Sequence, residues 1–187
     1  MSVPSIACIG VIGKHDNPLH IALFPPYEGQ KSALLDFSFL LNASLDIFDA
    51  RSRDRNRVDQ DLGMLQAIDE RLSIWGWQTG TGVRFAIIID TWGKEGKPVI
   101  KRKGTNDSKD GKGVAGRVVQ NADMKPAFKA LQTAYIRLLQ NPFFTPDEHT
   151  PMAVAHGRGK GAEIKSKKFI NEVQQIGQRW TTGLSTL

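Results

Sequence analysis

The stretch Val83-Arg-Phe-Ala-Ile-Ile-Ile-Asp90 contains five consecutive apolar residues, Phe85–Ile89. A strand with one face in solvent carries polar residues at every second position, whereas a strand covered on both faces is apolar throughout. We therefore expect residues 83–90 to form a central strand of a sheet, with other structure packed on both faces of that strand.

Four further stretches have the character of strands. Ser5–Ile12 is almost continuously apolar, and residues 19–23 alternate between large apolar and other side chains. The residues between them include Asp16, Asn17 and Pro18, which favour a turn, so these two stretches predict a hairpin. Leu62–Ala67 and Leu72–Thr79 complete the set, and the sequence therefore predicts a sheet of five strands.

Residues Lys31 to about Arg55 contain no Gly or Pro and predict one long helix. At 100° per residue its apolar side chains form two stripes. The first stripe consists of Leu34, Phe37, Leu41, Leu45 and Phe48, and the second of Leu35, Phe39, Leu40, Ala43 and Ile47. A single sheet covers only one side of a helix, and a chain of this size has little left to cover the other. We therefore expect the second stripe to contact a partner protein.

Asp46 lies beside the second stripe. A carboxylate that becomes buried in an interface requires a hydrogen-bond donor, which a partner could supply. A solvated carboxylate on the helix surface is an equally good interpretation of the same position. The candidate interface therefore consists of Leu35, Phe39, Leu40, Ala43, Asp46 and Ile47.

Two helices are predicted near the end of the chain. Asp123 is a candidate N-cap for the first, whose first turn would tolerate Pro126 and whose apolar stripe ends before Asn141. An irregular loop is expected over 145–165. The last helix is marked by apolar residues at near-helical spacing, Phe169, Val173, Ile176 and Trp180. Together the elements have the order ββαβββαα, which predicts an α+β fold with an antiparallel sheet and helices on both faces.

The net charge of +6 is concentrated in one segment. Residues 91–122 contain eight Lys or Arg against three Asp or Glu, so the rest of the chain is nearly neutral. We expect one domain over 1–187 with a basic, flexible insertion at 91–122. A solvated loop explains this insertion most simply. Contact with an acidic membrane or an acidic partner is the alternative, with Lys101, Arg102 and Lys103 as candidate residues.

The sequence offers no constellation typical of catalysis. The histidines lack metal-ligand spacing, and Gly111-Lys-Gly113 lacks the Ser or Thr and the upstream Gly of a phosphate-binding loop. Trp75 and Trp77 share one strand face but have few basic neighbours, so sheet core explains them better than a base-stacking platform. The histidines are His15, His20, His149 and His156. We expect no enzyme activity, cofactor, metal or nucleic-acid partner.

The number of cysteines and the targeting motifs bear on the compartment of the protein. Cys8 is the single cysteine. A lone cysteine excludes an internal disulfide and fits a reducing compartment. The first residues lack the pattern of a signal peptide, the longest apolar runs are too short for a membrane span, and no lipidation motif is present. A cytoplasmic protein is the expectation.

Several segments, taken in order, resemble the sedlin family of subunits of TRAPP vesicle-tethering complexes. They are Gly13-Lys-His-Asp-Asn-Pro-Leu19, Ala43-Ser-Leu-Asp-Ile-Phe-Asp49, Leu62-Gly-Met-Leu65, Trp75-Gly-Trp-Gln-Thr79, the stretch 83–90 and Asn141-Pro-Phe-Phe-Thr-Pro146. The third and fourth strands are most similar to the sedlin-like branch (TRAPP subunit 2-like), with sedlin itself as the near alternative. The added loops suggest a fungal-type member.

The resemblance implies a longin fold, in which a five-stranded antiparallel sheet carries one helix on one face and two on the other. It also implies a non-catalytic adaptor in ER-to-Golgi and intra-Golgi vesicle transport, bound to small and large scaffold subunits of a complex that is an exchange factor for Rab GTPases. The protein would then lie at Golgi and ER–Golgi membranes through that complex.

Overall fold

The computed structural model describes residues 2–53, 60–95, 119–144, 163–184 and 186–187. In this part of the chain, the strands and helices follow the predicted order, except that two helices stand where one was expected after the second strand. They are β1 (Ser2–Ile12), β2 (Pro18–Leu23), α1 (Lys31–Ala43), α2 (Leu45–Ser52), β3 (Asp61–Ala67), β4 (Leu72–Gln78), β5 (Arg84–Glu95), α3 (Asn121–Leu139) and α4 (Lys167–Arg179).

The strands form one antiparallel sheet in the order β2-β1-β5-β4-β3. β1 and β5 are neighbours near its centre, with Ile9 opposite Ile87 and Gly10 opposite Ala86. All of Phe85–Ile89 is fully buried, which confirms the prediction of a central strand covered on both faces.

Helices pack on both faces of the sheet, as predicted. Successive β5 residues point to opposite faces, so Phe85, Ile87 and Ile89 join one core cluster with side chains of α3 and α4. Ala86 and Ile88 join a second cluster, on the other face, with side chains of α1 and α2. The fold is therefore α+β with the layers that a longin domain requires.

The prediction of one helix from Lys31 to about Arg55 is wrong in one respect, because the helix is divided at Ser44. The buried Ser44 hydroxyl donates to the Leu41 carbonyl oxygen at 2.7 Å, and the Ser44 N–H bonds the carbonyls of Leu40 and Leu41. A serine that bonds back to its own helix competes with the regular backbone ladder and bends it. α2 begins directly after Ser44, and its Phe48 is fully buried in the core.

Leu34 does not belong to the buried stripe of α1, where the projection placed it. Its side chain is exposed, whereas Ala33, Phe37 and Leu41 are buried. Ala33, Phe37 and Leu41 follow one another at four-residue spacing and so lie on one face. The helix therefore contacts the sheet along a narrower line than its apolar content suggested, and Leu34 lies at the side of that line.

Asp123 is not the N-cap of α3. Gln120 occupies that position and Asp123 is the third residue of the helix, where its carboxylate accepts from the Gln120 N–H at 3.0 Å. The two residues form a capping box. Pro126 consequently lies inside the helix and not in its first turn. The Asp123 backbone oxygen also accepts from the Trp180 indole N–H at 2.9 Å, which joins the start of α3 to the end of α4.

The ends of the predicted insertion are ordered differently from the expectation. Residues 91–95 continue β5, and residues 121–122 begin α3. Neither of these two segments is therefore part of an irregular loop. Lys101, Arg102 and Lys103 lie outside the described residues. Within the predicted loop 145–165, the described Ile164 is buried, and its N–H donates to the Leu19 oxygen at 2.9 Å, along the edge of β2.

Two searches of the described residues bear on function. No helix among them combines the length and the apolar character that a bilayer crossing requires. The same residues contain no group of three or more His, Cys, Asp or Glu side chains placed to hold a metal ion.

Gly177 lets α4 approach the sheet closely, and this contact tests the packing of the fold. A Cβ atom there would lie 2.2 Å from the ring of the buried Phe24. We expect Gly177→Ala to lower the free energy of unfolding by about 1–3 kcal/mol, as overpacking does, although alanine by itself favours a helix by roughly 1 kcal/mol. Chemical denaturation measures this change. Gln178→Ala, at the exposed neighbour, should leave stability almost unchanged, and equal stability of both variants would contradict the packing described.

Candidate partner interface

The outer face of α1 is apolar and open to solvent. The side chains of Leu35 and Phe39 are 58% and 64% exposed. They lie four residues apart and therefore on the same face, whereas Phe37 and Leu41 point into the core. The structure thus brings together the first two residues of the candidate interface. Large apolar side chains grouped on one exposed face are typical of a protein contact.

The remaining candidate residues fall into two groups. Ala43 and Asp46 are exposed, and Ala43 lies four residues after Phe39, on the same face of α1. Leu40 and Ile47 are half-buried and pack against the core cluster under α1. Leu40 and Ile47 are therefore at the margin of the exposed face, and substitutions there would disturb packing as well as any contact.

Asp46 is the only acidic residue in the first turn of α2. A carboxylate near a helix N-terminus interacts favourably with the helix dipole. This local role is compatible with both interpretations of Asp46, because the side chain is exposed and remains accessible to a partner.

The position of α2 depends on Arg84, at the start of β5. The Arg84 guanidinium forms ion pairs with Asp16, in the β1–β2 turn, and with Asp49 of α2, the latter at 2.5 Å. It also lies over the ring of Phe48, 5.8 Å from the ring centre. Arg84 is largely buried, whereas both carboxylates are about half exposed, and the bonds are charge-assisted. Arg84 therefore joins hairpin, sheet and helix, and it holds the α2 part of the interface.

Arg51 fixes the other end of α2. Its guanidinium donates to the carbonyl oxygens of Leu62 at 2.6 Å and of Leu65 at 3.2 Å. Both acceptors belong to β3, the edge strand of the sheet. These bonds occupy main-chain acceptors that an edge strand otherwise leaves unpaired.

A second cluster, which the sequence analysis did not identify, surrounds the buried carboxylate of Asp90. Its Oδ1 accepts from Arg71 Nε at 2.8 Å and from the Trp92 N–H at 2.9 Å. Its Oδ2 accepts from Arg71 Nη2 at 2.6 Å and from the Tyr27 hydroxyl at 3.0 Å. Tyr27 and Arg71 come from distant parts of the sequence, and no local pattern connects them with Asp90.

The Asp90 carboxyl group remains ionised in this cluster. Burial by itself raises its pKa, but the hydrogen bonds from Arg71, from the Trp92 N–H and from Tyr27 outweigh burial, and the pKa lies below its ordinary value. The same bond to Asp90 is the main cause that raises the pKa of Arg71. The cluster is therefore a closed ion pair at neutral pH and not a source of protons for chemistry.

The other candidate residues have structural positions. Trp75 and Trp77 are buried, and Trp77 stacks on Phe128 of α3 with ring centres 5.7 Å apart, which confirms their assignment to the core. His20 is half-buried against Phe169, and burial lowers its pKa. None of these side chains forms a base-stacking or metal-binding surface in the described part of the chain.

A shallow groove of about 260 Å³ runs between α3 and α4. Its charged residues include Arg137 and Glu172, which lie 3.5 Å apart as an ion pair. Its floor consists of Ala130, Ala134 and Ile176. Among the described residues that line it, Thr133 is the only one with a hydroxyl group, and none is a histidine or cysteine that could activate that hydroxyl.

Comparison with known proteins agrees with the geometry. The family model described as sedlin matches residues 11–179. The chain is 26% identical over 173 residues to the trafficking protein particle complex subunit 2-like protein of Dictyostelium discoideum, with 91% of this chain and 95% of the relative covered. It is 22% identical over 146 residues to the protein of the same name from Bos taurus, with 75% and 84% covered.

The lowered pKa of Asp90 has a consequence for stability. The pKa of this carboxyl group is about 3.8 in the unfolded chain and lower in the folded protein. Its stabilising contribution is therefore complete above the unfolded pKa and is lost as the pH falls through the folded pKa. We expect Asp90→Asn to lower the free energy of unfolding by about 1.5–3 kcal/mol at pH 7. The difference from wild type should shrink below about pH 4. Denaturant titrations at several pH values measure it, with the exposed Asp36→Asn as control. A difference that grows in acid would contradict this assignment.

Proposed function

The chain belongs to the sedlin family, and from this premise we propose that it is a non-catalytic subunit of a TRAPP vesicle-tethering complex. Its relatives that bear the name of a TRAPP subunit align over most of its length. In this role the protein acts as an adaptor between other subunits of the complex. Its contact with Rab GTPases is indirect, and its association with Golgi and ER–Golgi membranes is peripheral.

The exposed apolar face of α1 is the observation that supports this proposal most strongly. Complete burial of a Leu or Phe side chain is worth about 1.5–3 kcal/mol, so Leu35 and Phe39 offer substantial free energy to a partner that covers them. The centre of an interface is apolar and its rim polar. The face fits this pattern, since Leu35 and Phe39 are flanked by exposed polar residues such as Asp36, Asn42 and Asp46.

An adaptor role without catalysis is supported by the chemistry of the described side chains. Among the described residues, the buried charges of Asp90 and Arg84 are engaged in ion pairs, and the buried Asp123 carboxylate accepts from the Gln120 and Gly183 N–H groups. Burial raises the pKa of the Cys8 thiol, which keeps it protonated and unreactive at neutral pH. Side chains in such environments hold a fold together and do not activate a substrate.

A second candidate function rests on charge alone. The excess of Lys and Arg in residues 91–122 favours contact with an acidic membrane or, less well, with nucleic acid. Binding through this segment would weaken steeply as salt increases. Binding through the apolar face of α1 would depend on salt only weakly, and this difference separates the two functions.

The α1 interface is tested by the double substitution Leu35→Asp plus Phe39→Asp. Both side chains are exposed, so the variant should fold normally, while two carboxylates placed in an apolar contact should abolish it. The readout is the amount of other TRAPP subunits that co-purify with the tagged protein from its own cells, measured by mass spectrometry.

Ile136→Asp is the matched control, because Ile136 is an exposed apolar residue on α3, on the opposite side of the sheet. It should leave co-purification unchanged. Retention of the TRAPP subunits by the α1 variant would place the interface elsewhere, and their absence from the wild-type sample would refute the proposed function itself.

A further inference from the structure

We propose that Trp92 is an anchor residue of the same interface, contacted by the TRAPP subunit that covers α1. This inference rests on the proposed function and adds a second element to it. The partner is a protein surface with an apolar pocket for the indole ring. Trp92 is an exposed tryptophan, 59% accessible to solvent. It lies in β5 where the pairing with β1 is irregular, between Asp90 and Lys94.

The backbone at Trp92 is held in place by hydrogen bonds to a buried carboxylate. The buried Asp90 carboxylate accepts from the Trp92 N–H at 2.9 Å and from the Gly93 N–H at 3.3 Å. The base of the Trp92 side chain is therefore ordered before any partner arrives. A residue that is already fixed loses little conformational entropy when it binds, which favours affinity.

The ring of Trp92 is supported by Arg71. The Arg71 guanidinium lies 5.9 Å from the centre of the Trp92 ring, and its bonds to Asp90 hold it there. A cation over an aromatic face attracts it electrostatically. Arg71 thus orients the indole ring, while Trp92 remains 59% exposed to solvent. Trp, Tyr and Arg are the residues most enriched among those that dominate binding energy at protein interfaces.

A continuous line of contacts connects Trp92 to α1. Arg71 also lies 5.8 Å from the ring centre of Tyr27, and Tyr27 packs edge-on against Phe37 of α1 with ring centres 5.0 Å apart. The exposed Leu34 lies three residues before Phe37, one turn away on the helix surface. An interface of standard size covers roughly 800 Å² on each partner. Such a footprint accommodates both the N-terminal half of α1 and Trp92.

The test uses the tagged full-length protein with Trp92→Ala, and Trp92→Phe as the conservative variant. Other TRAPP subunits that co-purify from the protein's own cells are quantified, and thermal unfolding checks that each variant is folded. We expect Trp92→Ala to reduce their recovery about tenfold or more, as loss of an anchor does, and Trp92→Phe to restore most of it. Phe143→Ala is the control, since Phe143 is 93% exposed and follows α3, on the opposite side of the sheet.

The outcomes separate this inference from the proposed function. Normal recovery with Trp92→Ala, while the α1 double variant loses the subunits, overturns the anchor but leaves the function intact. Absence of TRAPP subunits from the wild-type sample overturns both. A parallel measurement uses vesicles of phosphatidylcholine and phosphatidylserine. If Trp92→Ala weakens binding to these vesicles and not to TRAPP subunits, Trp92 serves a membrane contact and the inference is wrong.

Discussion

Two neighbouring strands that are apolar on both faces, β1 and β5, impose the constraint that the rest of the structure satisfies. Every side chain of Phe85–Ile89 is removed from water, and this requires a layer of helix above the sheet and another below it. On one side, α3 and α4 provide a broad cover. On the other side, α1 and α2 provide a narrower one, and α1 retains a second apolar face that is exposed. The candidate interface is thus a consequence of how the sheet is covered.

Two ion pairs, each with one buried member, connect this core to the proposed interface. Arg84 at the start of β5 holds α2 through Asp49, and Asp90 farther along the same strand holds Arg71 and the backbone of Trp92. The central strand therefore positions both parts of the exposed surface. Because loss of Asp49 or Arg71 would leave a buried charge without this ion-pair partner, which costs stability, the shape of this surface is tied to the stability of the fold.

Much of the fold could be predicted from the sequence, because hydrophobic periodicity reports burial directly. The continuous apolar run 85–89 indicated a strand covered on both faces. The two apolar stripes of the helix indicated that the sheet would leave one of them uncovered. The break at Ser44 was not predictable in this way, since the helix pattern continues through it without Gly or Pro. At the break the buried Ser44 hydroxyl bonds the Leu41 carbonyl oxygen, a contact that the apolar pattern does not report.

The part of the surface around Trp92 was not predicted from the sequence, for a related reason. Trp92 lies at the beginning of a segment whose composition is that of a loop, so the pattern did not reveal that β5 continues through it. Tyr27, Arg71 and Asp90 are separated by tens of residues, and no local spacing connects them. Contacts made across the tertiary structure, such as these, leave no period in the sequence.

A site-specific cross-link tests the central claim most directly, namely that a TRAPP subunit covers the exposed face of α1. The photoreactive residue p-benzoylphenylalanine would replace Phe39 in the full-length protein in its own cells, and irradiation followed by mass spectrometry would identify the attached protein. Our account predicts a cross-link to another TRAPP subunit from position 39 and none from position 143. Cross-links from position 39 only to proteins outside the complex, or equal cross-links from both positions, would contradict it.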